Sequence, residues 1–200
     1  VMPKPDVVAL TGGYRRTPIL QIGADIYCDT ALICDQLEHR KPAPPLYPEP
    51  LKGLACAVAQ WADTSLFAAA MAYNFQPKGA AQLFEKLPPE AAKAFSEDRG
   101  KMAEGSVRIR PGDGTSAYRS YLRRLADMLA HQPFLLGEAP TVADFAAYHP
   151  LWFTRTGTPG LAGIFDATPA VLAWMDRIAA LPNPTIARSS AAESLAVARA

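Results

Sequence analysis

The one clear β pattern in the chain lies near its start. Thr17-Pro18-Ile19-Leu20-Gln21-Ile22 and Asp25-Ile26-Tyr27-Cys28 are β-rich runs separated by Gly23 and Ala24, which predicts a tight hairpin. Asp29 comes immediately after and is placed to cap a helix running to about Arg40, with Leu32, Ile33, Gln36 and Leu37 on one face. Pro42, Pro44 and Pro45 stop that helix, and Leu46 to Pro50 reads as an extended link that closes a mixed β/α unit.

Beyond the link the pattern is helical. Leu54, Val58, Trp61, Ala62, Ser65 and Ala69 recur at three- and four-residue steps, predicting a long helix from about Leu51 to Tyr73 with one buried stripe. Helical pieces are expected over Gly79 to Leu87 and Glu90 to Met102, then a loop over Arg108 to Gly114 on its Gly and Pro content. Tyr118, Tyr121, Leu122, Leu125, Met128 and Leu129 mark one face of a helix ending near His131, ahead of Pro133. Thr168 and Pro169 supply a cap and a first helical residue for another helix, with Val171, Leu172, Met175, Ile178 and Ala179 on its apolar face and Pro182 and Pro184 beyond it. The Ala-rich tail from Ser189 to Ala200 predicts at most a short helix.

Composition narrows the classes of partner. Two hundred residues, half of them apolar, suffice for one domain or for a small domain beside a larger one. A net charge of +1 gives no overall field toward nucleic acid or anionic lipid, so neither is an expected partner. The three cysteines, Cys28, Cys34 and Cys56, form no CxxC pair, which argues for a reducing compartment, with cytoplasm as the default, and against a thioredoxin-like disulfide oxidoreductase. The longest nearly apolar run, Leu66 to Ala72, is too short to span a bilayer, and the first residues given lack the basic-then-apolar order of a signal peptide.

Two constellations carry the chemistry. The first is Tyr14-Arg15-Arg16-Thr17-Pro18-Ile19-Leu20, followed by the hairpin and by Asp29-Thr30 at a helix start. The second is Phe134-Leu135-Leu136-Gly137-Glu138-Ala139-Pro140-Thr141-Val142-Ala143-Asp144-Phe145, in which Thr141 and Asp144 have the spacing of a capping box. Together they resemble the glutathione S-transferase family, the first its glutathione-binding half and the second the cap of a central helix in its helical domain, where the role is folding. The run from Pro3-Lys4-Pro5-Asp6 through Tyr27-Cys28-Asp29-Thr30 is similar to a bacterial and fungal branch of that family.

The resemblance implies a fold that is mostly α with a small α/β part: a truncated thioredoxin-like domain, residues 1–45, followed by an all-helical domain, residues 51–200. The family's first strand, first helix and most of its second strand would precede Val1, so no residue here inherits the catalytic Ser, Tyr or Cys. It implies a cis bond before Pro18, turning the Thr17 N–H and C=O toward the cysteinyl backbone of glutathione as an added strand would pair. Asp29 would take the ligand's α-ammonium group, Thr30 and the helix N-terminus a carboxylate, and Arg16, less directly Arg15, the glycine carboxylate. Glutathione is then the cosubstrate, an apolar electrophile the second substrate, and a homodimer the expected assembly. The alternative is a non-catalytic protein of this fold acting as an interaction or scaffold module.

The remaining candidates read mainly as structure. Cys28, Cys34 and Cys56 are expected to be buried thiols. His39, His131 and His149 lack metal-ligand spacing, so no metal site is expected. Trp61, Trp152 and Phe153 are expected in the core, with a co-substrate pocket as the second reading. Arg108 and Arg110 read as solvated, and Pro150 as a kink or early helix end near His149.

Overall fold

The computed structural model describes residues 4–85, 87–102, 105, 109–182 and 185–199. The chain divides into two compact units, Val1–Pro45 with Pro182–Ala200, and Leu46–Leu181.

The smaller unit opens with a helix that the apolar pattern alone does not reveal, α1 (Pro5–Thr11). Its signals are present but brief: Pro5 at the first helical position, Asp6 in the first turn and Gly12 closing it at φ 68°. The predicted hairpin is formed by β1 (Ile19–Ile22) and β2 (Asp25–Cys28), antiparallel, with Ile19 opposite Cys28 and Ile22 opposite Asp25. Gly23 takes the left-handed conformation that the two-residue turn demands. The helix α2 (Thr30–Arg40) starts where expected, but of its predicted apolar face only Ile33 is buried, while Leu32 and Leu37 are exposed. The tail forms α10 (Ala191–Arg199), which lies against α1 and receives a hydrogen bond from Gln21 Nε2 to the Ser194 carbonyl, 2.9 Å.

The larger unit holds the main core. The predicted long helix runs from Lys52 to Asn74 as α3 (Lys52–Trp61), a π-helical turn (Ala62–Leu66) and α4 (Phe67–Asn74). By length and composition it could cross a membrane. Here it is a core element, burying Ala55, Ala59, Ala62, Leu66, Ala69 and Ala70. That stripe is rotated from the predicted one, and Leu54 is about half exposed. Alanines take the contact line because they let neighbouring backbones approach closely, which the larger Leu54 and Val58 would prevent.

Two short helices come next, α5 (Pro77–Phe84) and α6 (Pro89–Met102), close to their predicted limits. The expected loop from Arg108 to Gly114 is corrected by α7 (Pro111–Met128), although Arg108 lies outside the described residues. Pro111 occupies the first helical position, where its missing N–H costs nothing. Gly114 is needed inside the helix, since a Cβ there would stand 2.6 Å from Ala72 Cβ. The apolar face of α7 is as read, with Tyr118, Leu122 and Leu125 buried, and the helix ends at Met128, short of His131. Next, α8 (Val142–Gly157) continues through Pro150, which corrects the expected early end. Its buried Ala147, Leu151 and Thr154 hold the helix together across a proline that would cost an isolated helix about 3 kcal/mol. A 3₁₀ turn (Pro159–Phe165) leads to α9 (Pro169–Ala179), whose buried Trp174 fills the core beside the predicted Val171, Met175 and Ile178.

Candidate functional site

The hairpin register creates the candidate site. The last pair, Ile19 with Cys28, closes the end opposite the Gly23-Ala24 turn; Pro18 precedes it on one segment and Asp29 follows it on the other, with Thr17 and Thr30 one residue further out. Arg16, Thr17, Pro18, Asp29 and Thr30 are all exposed there. The Thr17–Pro18 peptide is cis, as expected.

Asp29 is the only described non-glycine residue with positive φ, at 83°. This region is disfavoured for residues with a Cβ, though Asp tolerates it better than most, and such positions gather at ligand sites. Its Oδ1 accepts a 2.9 Å hydrogen bond from the Ala31 N–H, capping α2 as its sequence position predicts. Its Oδ2 is engaged by no described residue, and neither are the Thr30 hydroxyl nor the backbone N–H and C=O of Thr17. Lys4 Nζ donates to Thr17 Oγ1 at 2.9 Å, adding a cation to which the sequence reading assigns no role. The signal available was only its position just ahead of the Pro5 helix start.

The arrangement thus offers an exposed peptide edge, a carboxylate oxygen, a helix N-terminus with a hydroxyl, and the cations Lys4 and Arg16. Those groups suit a short peptide with a free ammonium group and carboxylates.

The second constellation is structural. Asp144 is fully buried and its carboxylate receives four hydrogen bonds, from Thr141 N–H (2.9 Å), the Thr141 hydroxyl (3.1 Å), Leu135 N–H (2.8 Å) and Trp174 Nε1 (2.9 Å). The capping box forms, and Val142 N–H donates to the Leu46 carbonyl at 3.0 Å.

The other candidates do not gather. Trp61 stacks edge-on against Tyr121, Trp152 lies on His149 at the surface, and Phe153 packs on Phe75. Cys56 is exposed, which corrects its assignment to the core; it points from a part of α3 outside the alanine stripe, while Cys28 and Cys34 are half-buried. His39, His131 and His149 are exposed, and no group of three metal-capable side chains occurs among the described residues. Arg110 pairs with Asp113 at 3.1 Å beside the α7 N-terminus.

Comparison with known proteins identifies the family. A family model described as the glutathione S-transferase N-terminal domain matches residues 1–45, and one described as the C-terminal domain matches residues 104–177. No curated protein matches. Among solved structures, a GST-like protein from Pseudomonas syringae is 38% identical with a TM-score of 0.72, covering 99% of this chain, which spans 61% of that protein's length. A glutathione S-transferase domain-containing protein from Marinobacter aquaeolei VT8 is 21% identical, TM-score 0.61, covering 90% of this chain and 78% of its own. The beta-etherase LigF from Sphingobium sp. strain SYK-6 is 18% identical, TM-score 0.63, with coverages of 91% and 84%. With both of its domain types matched in order, and a mostly helical fold bearing the expected hairpin, the chain belongs to the glutathione S-transferase family.

Proposed function

We propose that this chain binds glutathione at the open end of the hairpin and serves a transferase that adds the tripeptide's sulfur to an apolar electrophile. The cysteinyl backbone pairs with the Thr17 N–H and C=O, extending the β1 edge beside Pro18. Asp29 Oδ2 takes the α-ammonium group, Thr30 and the α2 N-terminus a carboxylate, and Arg16 the glycine carboxylate. We place the protein in the cytoplasm as a homodimer, with residues 1–45 as the glutathione-binding domain and 51–200 as the helical one.

The observation that supports this reading is the set of polar groups with no partner among the described residues, converging from two separate segments: Thr17 N–H and C=O, Thr30 Oγ1 and Asp29 Oδ2.

The test is a calorimetric titration of glutathione. The unmodified chain should bind in the micromolar to millimolar range, and Asp29→Ala with Thr30→Ala should abolish it. Asp29→Asn keeps the acceptor for Ala31 N–H while removing the charge, so it should weaken binding with α2 intact by circular dichroism. No binding by the unmodified chain, or full binding by the double variant, sinks the reading and leaves the scaffold alternative.

A further inference from the structure

Two short helices of the smaller unit lie against each other, and one of them is tied at both ends to the segment that carries Thr17. The α1 helix is seven residues long and has no buried residue. Isolated helices below about 12 residues are marginal in water, so α1 needs a neighbour to persist. That neighbour is α10: Val7, Leu10 and Thr11 form a half-buried face on α1, Ser194, Leu195 and Ala198 form one on α10, and the two helices are in contact. Gln21 Nε2 on β1 holds the tail a second time, donating to the Gly23 carbonyl at 3.1 Å and to the Ser194 carbonyl at 2.9 Å. From α1 the connection runs on to the candidate site. Lys4, at the N-cap, donates to Thr17 Oγ1 at 2.9 Å, and the hydroxyl of Thr11, the last helical residue, is shared between the Val7 carbonyl at 2.8 Å and the Tyr14 carbonyl. Residues 14–17 belong to no helix or strand, so these two ties from α1 act on an irregular segment.

We propose that α10 is a positioning element of the glutathione site: it holds α1, and α1 holds the Thr17 edge through Lys4 and Thr11. The inference rests on the binding reading given above and adds its control from outside the site. All the groups involved lie within one compact unit, so the effect needs no other part of the molecule. A ligand that pairs with the Thr17 N–H and C=O binds best when that backbone is already in place. With the tail released, the cost of ordering residues 14–17 is subtracted from the affinity. Linkage makes the coupling mutual, so bound glutathione tightens α10 by the same factor.

The test titrates glutathione by calorimetry into the full chain and into variants that release the tail. Ser194→Pro removes the N–H that bonds the Ser190 carbonyl at 3.1 Å and breaks α10, while Gln21→Met leaves the helix intact and removes its tie to β1. Affinity should fall roughly five- to tenfold in the first and roughly two- to threefold in the second. It should be unchanged in Val197→Ala, on the exposed face of α10. Hydrogen exchange supplies a readout that does not depend on the ligand: Ser194→Pro should lower amide protection across α1 and leave α9 as it was, which also shows the larger unit to be folded. Saturating glutathione should raise protection across α10 of the unmodified chain, a response that a tail serving only as structure would not give. Binding of unmodified strength in both tail variants, or no rise in α10 protection on saturation, overturns the inference and leaves the binding reading standing. Unchanged α1 protection in Ser194→Pro overturns it whether or not glutathione binds, and an absence of binding by the unmodified chain overturns both.

Discussion

At the scale of single residues, the costly features are buried polar groups, and their consequences differ by how many partners each supports. Asp144 is a buried carboxylate whose donors come from its own cap, the preceding loop and Trp174 on α9. Asp144→Ala strands those donors in a dry interior and should cost about 3–5 kcal/mol in a urea denaturation, an outcome under about 1 kcal/mol contradicting the structural role. A second network sits where α4, α7 and α8 meet: Asn74 Nδ2 and Tyr118 OH both reach Thr154 Oγ1 at 2.9 Å, and Thr158 Oγ1 donates to Asn74 Oδ1 at 2.8 Å. Burial raises the Tyr118 pKa far above its ordinary value, so the phenol stays protonated; with the Thr154 hydroxyl donating to the Pro150 carbonyl at 3.1 Å, the phenol is the donor to Thr154 Oγ1. Tyr118→Phe removes one bond and should cost about 1 kcal/mol, whereas Thr154→Val strands Asn74 Nδ2 and the Tyr118 hydroxyl together and should cost about 2–4 kcal/mol. Equal losses for the two would show that the network is not centred on Thr154.

Element-scale behaviour turns on two glycines and one cap. Gly114 and Gly112 lie in the same first turns of α7, yet a Cβ at 114 meets Ala72 while one at 112 meets nothing within 4 Å. Gly112→Ala should stabilise by about 0.5–1 kcal/mol through helix propensity, and Gly114→Ala should destabilise by about 1–3 kcal/mol through overpacking against α4. Opposite signs in thermal melts check the placement of the helix start at Pro111. The tail helix α10 is capped by Glu193, whose carboxylate accepts from Ser190 N–H and from the hydroxyls of Ser189 and Ser190. Those bonds lower its pKa, the backbone one most. With the folded pKa depressed, the cap's contribution is fully present above the ordinary carboxylate pKa and is lost as pH falls through the depressed value. Amide protection factors in α10, corrected for the intrinsic exchange rate at each pH, should therefore fall on acidification in the native chain, and Glu193→Gln should flatten that dependence.

Across the whole molecule, stability is unevenly shared. The buried cluster belongs entirely to Leu46–Leu181, while the smaller unit has Ile33 as its one buried apolar side chain among the described residues, with α10 lying against α1. A chain ending at Leu181 should lose amide protection over Pro5–Arg40 while Lys52–Ala179 keeps it. Uniform loss in both regions would show that α10 supports the larger unit as well.

The sequence by itself determined the elements whose signals are local. Gly23 sets the hairpin turn, Asp29 and Thr141 are caps that need only their nearest neighbours, and the apolar period of Tyr118, Leu122 and Leu125 reads directly as a buried face. The exposed segments Arg16 to Pro18 and Asp29-Thr30 flank the hairpin for the same reason, since its register needs only eight paired residues. Only the tertiary structure decided the rest. Which stripe of Lys52–Asn74 goes inside depends on how closely α7 and α8 approach, so alanines displaced Leu54. Whether Gly112 and Gly114 break or begin a helix depends on Ala72, and whether Pro150 ends one depends on the core around it.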